Sequence, residues 1–431
     1  MLPQALLLSG LLAGTAVGFV PTTVSRLHSS TALDASALII QNKGGGHGEL
    51  GYQLAKTLQS APYSDTIDSI TILQDDECKD DQEPFQSYTK DLEGVEIVYA
   101  PITKDTVTLY SLELLLGYKK FDYVFDNNSK KPEGPAKACA DIAKQWDVKL
   151  YVYVSSAGMY EPTSSTTFPM DEATTPIKES SGQAQFDAYC VEIGLPLVSF
   201  RPQYIYGAKA NKYDYMYVKL CSALFFAGAG RKRVSHPNSL FLYLLSLSPS
   251  RFSPHSDYFF DRLVRQLPIP IPDAGDQLVS LTHAEDVASL LASPILQPEK
   301  AVAQRFFNCG TDALHSYDDV AHMCAKAADI TEYDIEHYDS KLLGKGKFPF
   351  RLTNFYVAPD KAKELLGWAG PKHSLADDLP AYHENFVARG KPLEQMSWIK
   401  DWEIVVGHKT PQYGYVSSVY DKYDPLIFEE D

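Results

Sequence analysis

Short apolar runs alternate with amphipathic stretches from residue 37 onwards, which predicts strands and helices in turn. The predicted strands are ALIIQN (37–42), DSITILQDD (68–76), VEIVYA (95–100), FDYVFDNN (121–128), VKLYVYVSSAG (148–158) and LPLVSFRPQYIYG (195–207). The predicted helices between them are ELGYQLAKTLQ (49–59), EGPAKACADIAKQW (133–146) and SSGQAQFDAYCVEIG (180–194). This rhythm predicts an α/β fold of the Rossmann type, with a doubly wound, mainly parallel sheet in residues 34–215.

The pattern changes to shorter pieces after residue 258, which predicts a smaller C-terminal α/β lobe. Helices are expected at FFDRLVRQL (259–267), AEDVASLLASPI (284–295), SYDDVAHMCAKAA (316–328) and DKAKELLGW (360–368). Extended segments are expected at PIPIP (268–272), LVSLTH (278–283), RFFNCG (305–310) and YDIEHYD (333–339). We assign residues 258–390 to the remainder of the fold with its lobe, and 391–431 to a C-terminal extension.

Residues 216–257 do not fit this organisation. They are rich in Ser and Leu, show no clear period, and hold five Lys or Arg against one Asp in an otherwise acidic chain. Long structureless loops are uncommon inside compact domains. The segment is therefore either a translated intron in the gene model or a real basic insertion, which would be an obvious place for RNA to bind.

The N-terminus has the composition of a targeting segment. ALLLSGLLAGTAVGF (5–19) has the length of a signal-peptide core and is short for a membrane span. VPTTVSRLHSSTAL (20–33) is rich in Ser and Thr and lacks acids. Residues 1–33 thus resemble the bipartite plastid presequence of algae with secondary plastids. We expect a mature protein without a membrane span in the plastid stroma; a secretory signal is the alternative.

The net charge and the cysteine content of the chain limit which kinds of molecule it is expected to bind. The chain has 431 residues and a net charge of −16, so any nucleic-acid contact must come from a local basic patch. The six cysteines form no C-x-x-C pair and no metal-ligand spacing, which indicates thiols in a reducing compartment.

A glycine turn joins the first predicted strand to the first predicted helix. Gly45, Gly48 and Gly51 have the spacing G-x-x-G-x-x-G, which permits a tight turn, an approach to a pyrophosphate and close helix packing. Asp75 and Asp76 end the second strand, where a carboxylate binds ribose hydroxyls. The pattern predicts NAD(P) binding, unless the turn has been kept only for folding.

Later motifs resemble the extended short-chain dehydrogenase/reductase superfamily, which includes NAD-dependent epimerases and dehydratases. They are VSSAGMY, FRPQYIYG, LTHAEDVA and FNCG, and the resemblance places Ser156 at the catalytic Ser/Thr position. That superfamily also uses a Tyr and a Lys four residues later. If Asp187 is set against the family's helix Glu, Glu179 and Gln183 occupy these two positions. Because Gln183 has no charge to lower the pKa of a neighbour, hydride chemistry of the usual type is not expected.

The match is closer to the chloroplast stem-loop-binding proteins, a branch of plastid RNA-binding endoribonucleases that lacks the Tyr–Lys pair. NKGGGHGELGYQLAKTL, FDYVFDNNSK, SSAGMY, SFRPQYIYG, PIPIPDAGDQLVSLTHAEDVASLL and KELLGW carry this resemblance. It implies RNA binding, divalent-ion-assisted cleavage, and partners in plastid ribonucleoprotein or transcription complexes or in homo- or hetero-oligomers. This chain departs from the family's AGHVxVEK helix at Gln183 and Asp187. A nucleotide-sugar epimerase or dehydratase and a non-catalytic nucleoprotein scaffold remain the alternatives.

Candidate site residues follow from where the predicted strands end. Asp126, beside Asn127, is our first choice for a Mg²⁺ ligand, and Asp75 and Asp76 are the second. Arg201 either neutralises a phosphate or pairs with a carboxylate. The remaining candidates are Ser156, Lys178, which the resemblance places near the pocket, and His283, which is either a general base or a structural residue at a helix start.

Overall fold

The computed structural model describes residues 35–42, 48–78, 83–102, 107–207, 257–343 and 350–393. The predicted presequence (1–33), Gly45, residues 216–256 of the insertion and residues 394–431 lie outside these ranges, so the predictions made for them stay predictions.

Twelve strands lie in the described part of the chain. They are β1 Ser36–Gln41, β2 Ser69–Asp75, β3 Glu96–Ala100, β4 Tyr123–Asn127, β5 Leu150–Val154, β6 Leu197–Pro202, β7 Tyr204–Tyr206, β8 Ile269–Pro272, β9 Val279–His283, β10 Phe306–Cys309, β11 Leu314–His315 and β12 Ile335–Tyr338. Seven of them form one parallel sheet in the order β10-β6-β5-β4-β1-β2-β3. The order reverses between β1 and β4, which is the switch point where doubly wound folds bind ligands.

Two small sheets complete the lobe. One has the order β11-β9-β7, in which β7 and β9 are parallel and β11 is antiparallel to β9. In the other, β12 and β8 are parallel.

Twelve helices lie in the described part of the chain, some on the two faces of the large sheet and others in the lobe. They are α1 Gly48–Leu58, α2 Phe85–Asp91, α3 Leu109–Leu115, α4 Gly134–Trp146, α5 Gly182–Glu192, α6 Tyr258–Leu263, α7 Ala284–Ala292, α8 Pro298–Gln304, α9 Tyr317–Ala327, α10 Ser340–Leu343, α11 Asp360–Leu366 and α12 Leu375–Ala388. Short 3₁₀ turns lie at Tyr63–Asp65, Ala157–Met159, Ser293–Leu296 and Lys391–Leu393. None of the helices within the described ranges is long and apolar enough to cross a membrane.

Three large apolar clusters hold these layers together, and a fourth, small cluster lies around Tyr160 and Phe355. The first joins one face of the sheet to α1, α7 and α11, and Ile39, Leu54 and Leu291 are among its buried members. The second joins the opposite face to α3, α4 and α5, and the third fills the lobe between α6, α9 and α12. This arrangement confirms the predicted Rossmann-type α/β fold.

Candidate functional site

Polar side chains join the strands at the switch point by hydrogen bonds. They lie at the edge of the sheet formed by the carboxyl ends of its strands, which we call the carboxyl edge. Asn127 Nδ2 donates to Gln41 Oε1, and Asn42 Nδ2 donates to the Asn127 carbonyl, both at 2.8 Å. Gln74 Nε2 donates to the Asn42 carbonyl at 2.8 Å. Gln41, Gln74 and Asn127 are buried, so these bonds join the ends of β1, β2 and β4 in a site shielded from water. The amide of Asn127 is therefore used by the fold, and its contact with a cofactor stays a prediction.

Gly51 lies where α1 crosses the end of β1. A Cβ at this position would overlap Gln41 Oε1 and lie 2.7 Å from Gln41 Cδ. The Gln41 side chain can lie this close to α1 only because residue 51 has no side chain. Gly51 thus has the packing role that the spacing predicts, whereas Gly48 is described only as the first residue of α1.

Asp75 offers a buried acceptor at the end of β2. Its side chain is fully buried, and Oδ1 accepts a hydrogen bond from the Glu77 amide at 2.9 Å. Oδ2 has no hydrogen-bond partner among the described residues. A buried carboxylate oxygen without a donor is costly, and ribose hydroxyls supply donors. Asp75 therefore fits the ribose of a dinucleotide, whereas Asp76 follows β2 with its amide bonded to the Ala100 carbonyl at 2.9 Å.

Both carboxylate oxygens of Asp126 already accept hydrogen bonds from the protein. Oδ1 accepts from the amides of Asn128 and Ser129, both at 2.9 Å, and Oδ2 accepts from the Tyr151 hydroxyl at 2.6 Å. The side chain is completely buried. Since three donors already surround both oxygens and Mg²⁺ keeps several waters around it, the geometry does not fit a Mg²⁺ site.

Ser156 and Lys178 are brought together beyond the end of β5. Ser156 Oγ accepts from the Gly158 amide at 3.0 Å and caps the 3₁₀ turn. The Lys178 amide donates to the Met159 carbonyl of that turn at 2.7 Å, and the Lys178 side chain is exposed. Arg351 lies on the same side, because a Cβ at Gly158 would be 3.8 Å from Arg351 Nη2.

Two further lysines lie at this edge. A turn connects Lys178 to α5, since the Ser181 amide donates to the Lys178 carbonyl at 2.8 Å. Gly182, the first residue of α5, packs against Lys130 and Lys131, so that a Cβ there would lie 2.6 Å from the Lys130 carbonyl oxygen and 2.7 Å from Lys131 Cγ. Both lysines are exposed. We call Lys130, Lys131, Lys178 and Arg351 the basic edge.

Arg201 is part of a buried network below the basic edge. Its Nη2 lies 3.8 Å from Asp187 Oδ2, and its Nη1 donates to the Tyr160 hydroxyl at 3.1 Å. Tyr160 in turn donates to Asn308 Oδ1 at 2.7 Å. Burial raises the pKa of Asp187 to about 6, against the opposing effects of Ser199 and Arg201. Of the two roles considered for Arg201, the geometry supports the pairing with a carboxylate.

The described residues provide no activated tyrosine beside Ser156. Glu179 is exposed just before α5, and Gln183 is half-buried in its first turn. Tyr160 is the tyrosine that follows the Ser156 turn, and burial raises its pKa to about 12 although Arg201 partly offsets this effect. A phenol whose pKa is raised to this value stays protonated near neutral pH, so it cannot accept a proton there. The proton relay of a hydride-transferring site is thus missing from this part of the chain.

His283 begins α7 as a capping residue. Its Nδ1 accepts a hydrogen bond from the Glu285 amide at 3.2 Å, and its ring stacks on that of His373 with centroids 3.7 Å apart. Burial, followed by the nearby His373, lowers the pKa of His283 to about 3. His283 is therefore neutral and held by the helix, which supports the structural role rather than that of a general base.

His283, Glu285 and His373 also form the single group of potential metal ligands found within the described ranges. His373 already bridges two carboxylates, with Nε2 3.2 Å from Glu285 Oε2 and Nδ1 3.2 Å from Asp378 Oδ2. The planes of the two stacked rings are 21° apart. These contacts describe a protonated histidine between acids better than a metal centre.

Sequence reasoning missed three residues of this region: Glu49 in the first turn of α1, Arg351 and His373. Glu49 was visible inside the glycine motif as an acid at a helix start. Arg351 and His373 come from loops distant in sequence, so no local pattern marks them.

No protein-family model matches the chain. It is 28% identical, over 289 residues, to the chloroplast stem-loop binding protein of 41 kDa b from Arabidopsis thaliana. This match covers 66% of the present chain and 64% of the relative, which is less than two thirds of that protein. It confirms the resemblance to the stem-loop-binding proteins drawn from the motifs.

Several solved structures, among them a dehydratase and an epimerase, share the fold. A dTDP-glucose 4,6-dehydratase from Bacillus anthracis in complex with NAD has a TM-score of 0.56 at 14% identity, covering 84% of this chain and 100% of the other. A UDP-glucuronic acid 4-epimerase from Bacillus cereus, bound to UDP-glucuronic acid and NAD, has a TM-score of 0.54 at 14% identity, covering 82% and 99%. Pal from Bacillus thuringiensis has a TM-score of 0.55 at 17% identity, covering 82% and 99%. At these identities the likeness concerns the fold alone.

Proposed function

We propose that this protein binds stem-loop RNA in a plastid and does not transfer hydride. The observation that carries the proposal is the 28% identity over 289 residues to a chloroplast stem-loop binding protein. Within the described residues, no activated tyrosine lies beside Ser156, which supports the same conclusion for a chain that shares the fold of an enzyme solved with NAD.

The basic edge is the proposed contact for RNA phosphates. Lys130, Lys131 and Lys178 are exposed, and Arg351 lies half-buried next to the Ser156 turn. Cations that neutralise phosphates supply most of the affinity of RNA for a protein surface and make it sensitive to salt. An acidic chain with a net charge of −16 needs such a local patch to hold a polyanion.

The second part of the proposal is that the protein cleaves the bound RNA with the help of a divalent ion. Because both oxygens of Asp126 accept hydrogen bonds inside the fold, we do not assign it a catalytic cation. Cleavage would require a divalent ion held by the RNA phosphates together with other carboxylates. Cleavage that EDTA abolishes supports an endoribonuclease in transcript or rRNA processing, and tight binding without cleavage supports a scaffold in a plastid nucleoprotein complex.

Lys178→Ala tests the basic edge. We expect weaker binding to a stem-loop RNA, and a plot of log affinity against log salt whose slope is reduced by about 1, as for the loss of one phosphate contact. The measurement is fluorescence anisotropy of a labelled stem-loop at several salt concentrations. Lys300→Ala is the matched control, because Lys300 is an exposed lysine at the start of α8. An unchanged slope for Lys178→Ala, or an equal loss in the control, would contradict the assignment.

The alternative function is that of an NAD(P)-dependent nucleotide-sugar epimerase or dehydratase. Its support is the shared fold with enzymes solved in complex with NAD. Turnover of a UDP-sugar or dTDP-sugar by the purified chain, without added RNA, would establish it over RNA binding.

The plastid location is also a proposal. The relative is a chloroplast protein by name, and residues 1–33 have the composition of a signal followed by a transit segment. Fusing residues 1–33 to a fluorescent protein in an alga with a secondary plastid is expected to direct it to the stroma. Secretion of the fusion would support the alternative.

A further inference from the structure

Arg351 is held in one orientation beside the Ser156 turn. Its amide donates a hydrogen bond to the hydroxyl of the buried Tyr317 at 2.8 Å. Its Cζ lies 3.4 Å from the centroid of the Phe355 ring, and at that separation the flat guanidinium lies against the face of the ring. Nη2 is on the side of Gly158, since a Cβ there would lie 3.8 Å from it.

Phe355 is a fixed platform for this stack. It exposes 1% of its surface and belongs to the small apolar cluster that includes Ala157 and Tyr160. Its amide donates to the Leu278 carbonyl at 2.9 Å. Because the ring cannot move freely, the guanidinium that lies on it is already ordered and loses little conformational entropy when a ligand binds.

The side chain of Arg351 has hydrogen-bond donors that the described residues do not use. Within these ranges no carboxylate forms an ion pair with it, and no acceptor receives a hydrogen bond from its guanidinium. An arginine carries five N–H donors in a rigid fork, and this one is half-buried, so an acceptor on a ligand would stabilise it. The three lysines of the basic edge differ, because they are exposed point charges on flexible stems.

These two kinds of cation suit two different parts of a stem-loop RNA. Contacts to phosphates hold a nucleic acid whatever its sequence, whereas contacts to base edges select among sequences. The bases of a loop are unpaired, so a protein can form hydrogen bonds with their Watson–Crick and Hoogsteen edges. A guanine presents two acceptors, O6 and N7, at the spacing of a guanidinium fork, and a lysine cannot match both of them at once.

We infer that Arg351 is a specificity-determining residue that binds an unpaired guanine of the RNA loop through O6 and N7. The inference rests on the proposed binding of stem-loop RNA. Within the basic edge, Lys130, Lys131 and Lys178 attract the phosphates, and Arg351, held by Phe355, selects the base.

The test compares two stem-loop RNAs. In the loop of the first, uridine and guanosine alternate; in the second, every guanosine is replaced by 7-deazaguanosine, which has no N7 acceptor. The unaltered full chain is expected to bind the first about tenfold more tightly, measured by fluorescence anisotropy. This comparison uses the unaltered protein, so it does not depend on whether a variant folds. Equal affinity for the two RNAs would overturn the inference.

Arg351→Lys keeps the charge and removes the fork. We expect this variant to bind the two RNAs equally, while the slope of log affinity against log salt stays unchanged. Arg305→Lys is the matched control, because Arg305 is also half-buried but lies directly before β10, at the opposite edge of the sheet. The control is expected to keep the preference for guanosine.

Two other outcomes count against the inference. If Arg351→Lys binds both RNAs more weakly but keeps the preference for guanosine, Arg351 contacts a phosphate and not a base. If the unaltered chain binds neither RNA even at low salt, the proposed function itself is wrong, and the role of Arg351 fails with it. Binding of both RNAs without a preference contradicts only the role of Arg351.

Discussion

At the scale of single residues, several charged side chains that the sequence offers as candidates for chemistry are held by contacts within the fold. Arg201 and Asp187 are both buried, with 4% and 6% of their side chains exposed, and they pair across 3.8 Å. Removing one partner of a buried pair leaves the other charge without compensation.

Arg201→Met is therefore expected to lower the free energy of unfolding by about 3–5 kcal/mol, measured by urea denaturation. Lys149→Met is the control, because Lys149 pairs with Asp122 at 2.9 Å at the surface, with half of the lysine side chain exposed. Loss of that pair should cost about 1 kcal/mol or less. If Arg201→Met lowers the free energy of unfolding only slightly but weakens RNA binding strongly, Arg201 contacts a phosphate and is not mainly a partner of Asp187.

His373 provides a prediction about pH. Burial alone would lower its pKa, but its hydrogen bond to Asp378, the charge of that residue and the hydrogen bond to Glu285 raise it above the ordinary value. A raised pKa in the folded state stabilises the fold fully below the unfolded pKa of about 6.5, and the contribution is lost as pH rises through the folded value.

The stability difference between the unaltered chain and His373→Gln should consequently be largest near pH 5.5 and shrink toward pH 8.5, with these limits set about the ordinary pKa of histidine. The size is about 1 kcal/mol or less, because Glu285 is half exposed. Urea denaturation of both proteins across this range measures it. A difference that stays constant, or that grows with pH, would show that His373 is not protonated between its two acids.

Residue roles could be predicted from the sequence only in part. The position of Asp126 at a strand end was visible, but the three donors around it come from the following turn and from Tyr151 on the neighbouring strand. Likewise, the sequence left two roles open for Arg201, and its partner Asp187 becomes evident only when α5 packs on β6. Tertiary contacts, which no local pattern encodes, determined both outcomes.

At the scale of elements, the contact between α1 and β1 leaves no room for a side chain at residue 51. Gly51→Ala would force a methyl group into Gln41, whose side chain is held by Asn127. Overpacking of this kind costs about 1–3 kcal/mol, which exceeds the gain in helix propensity from alanine.

Thermal or urea denaturation of Gly51→Ala should show that loss, while Lys56→Ala, at an exposed position of the same helix, should change stability by less than about 0.5 kcal/mol. Equal stability of the two variants would mean that Gln41 moves aside without cost.

The strands of the large sheet were predicted well because their buried faces give continuous apolar runs. Helices α2, α3, α8, α10 and α12 were not predicted. α2 and α3 have only seven residues each, and α3 exposes Tyr110 and Leu114 to solvent, which obscures its apolar face. α12 contains Pro380, a residue that ordinarily marks a helix end.

At the scale of the whole molecule, an acidic chain presents a small basic edge at the carboxyl ends of a parallel sheet. The sheet order places the ends of β4 and β5 beside each other, which brings the loops carrying Lys130 and Lys178 to one side of the molecule. The sequence motifs identified the fold and the relative, but the grouping of these lysines with Arg351 depends on the folded arrangement.

The most direct test of this account is ultraviolet crosslinking of the full chain to a stem-loop RNA, with the crosslinked peptides identified by mass spectrometry. We predict crosslinks in the loops around residues 128–131, 156–160 and 178–182, and their loss as salt is raised. Crosslinks confined to other surfaces, or no crosslink at a salt concentration where the protein is folded, would contradict the claim that the carboxyl edge of this fold holds RNA.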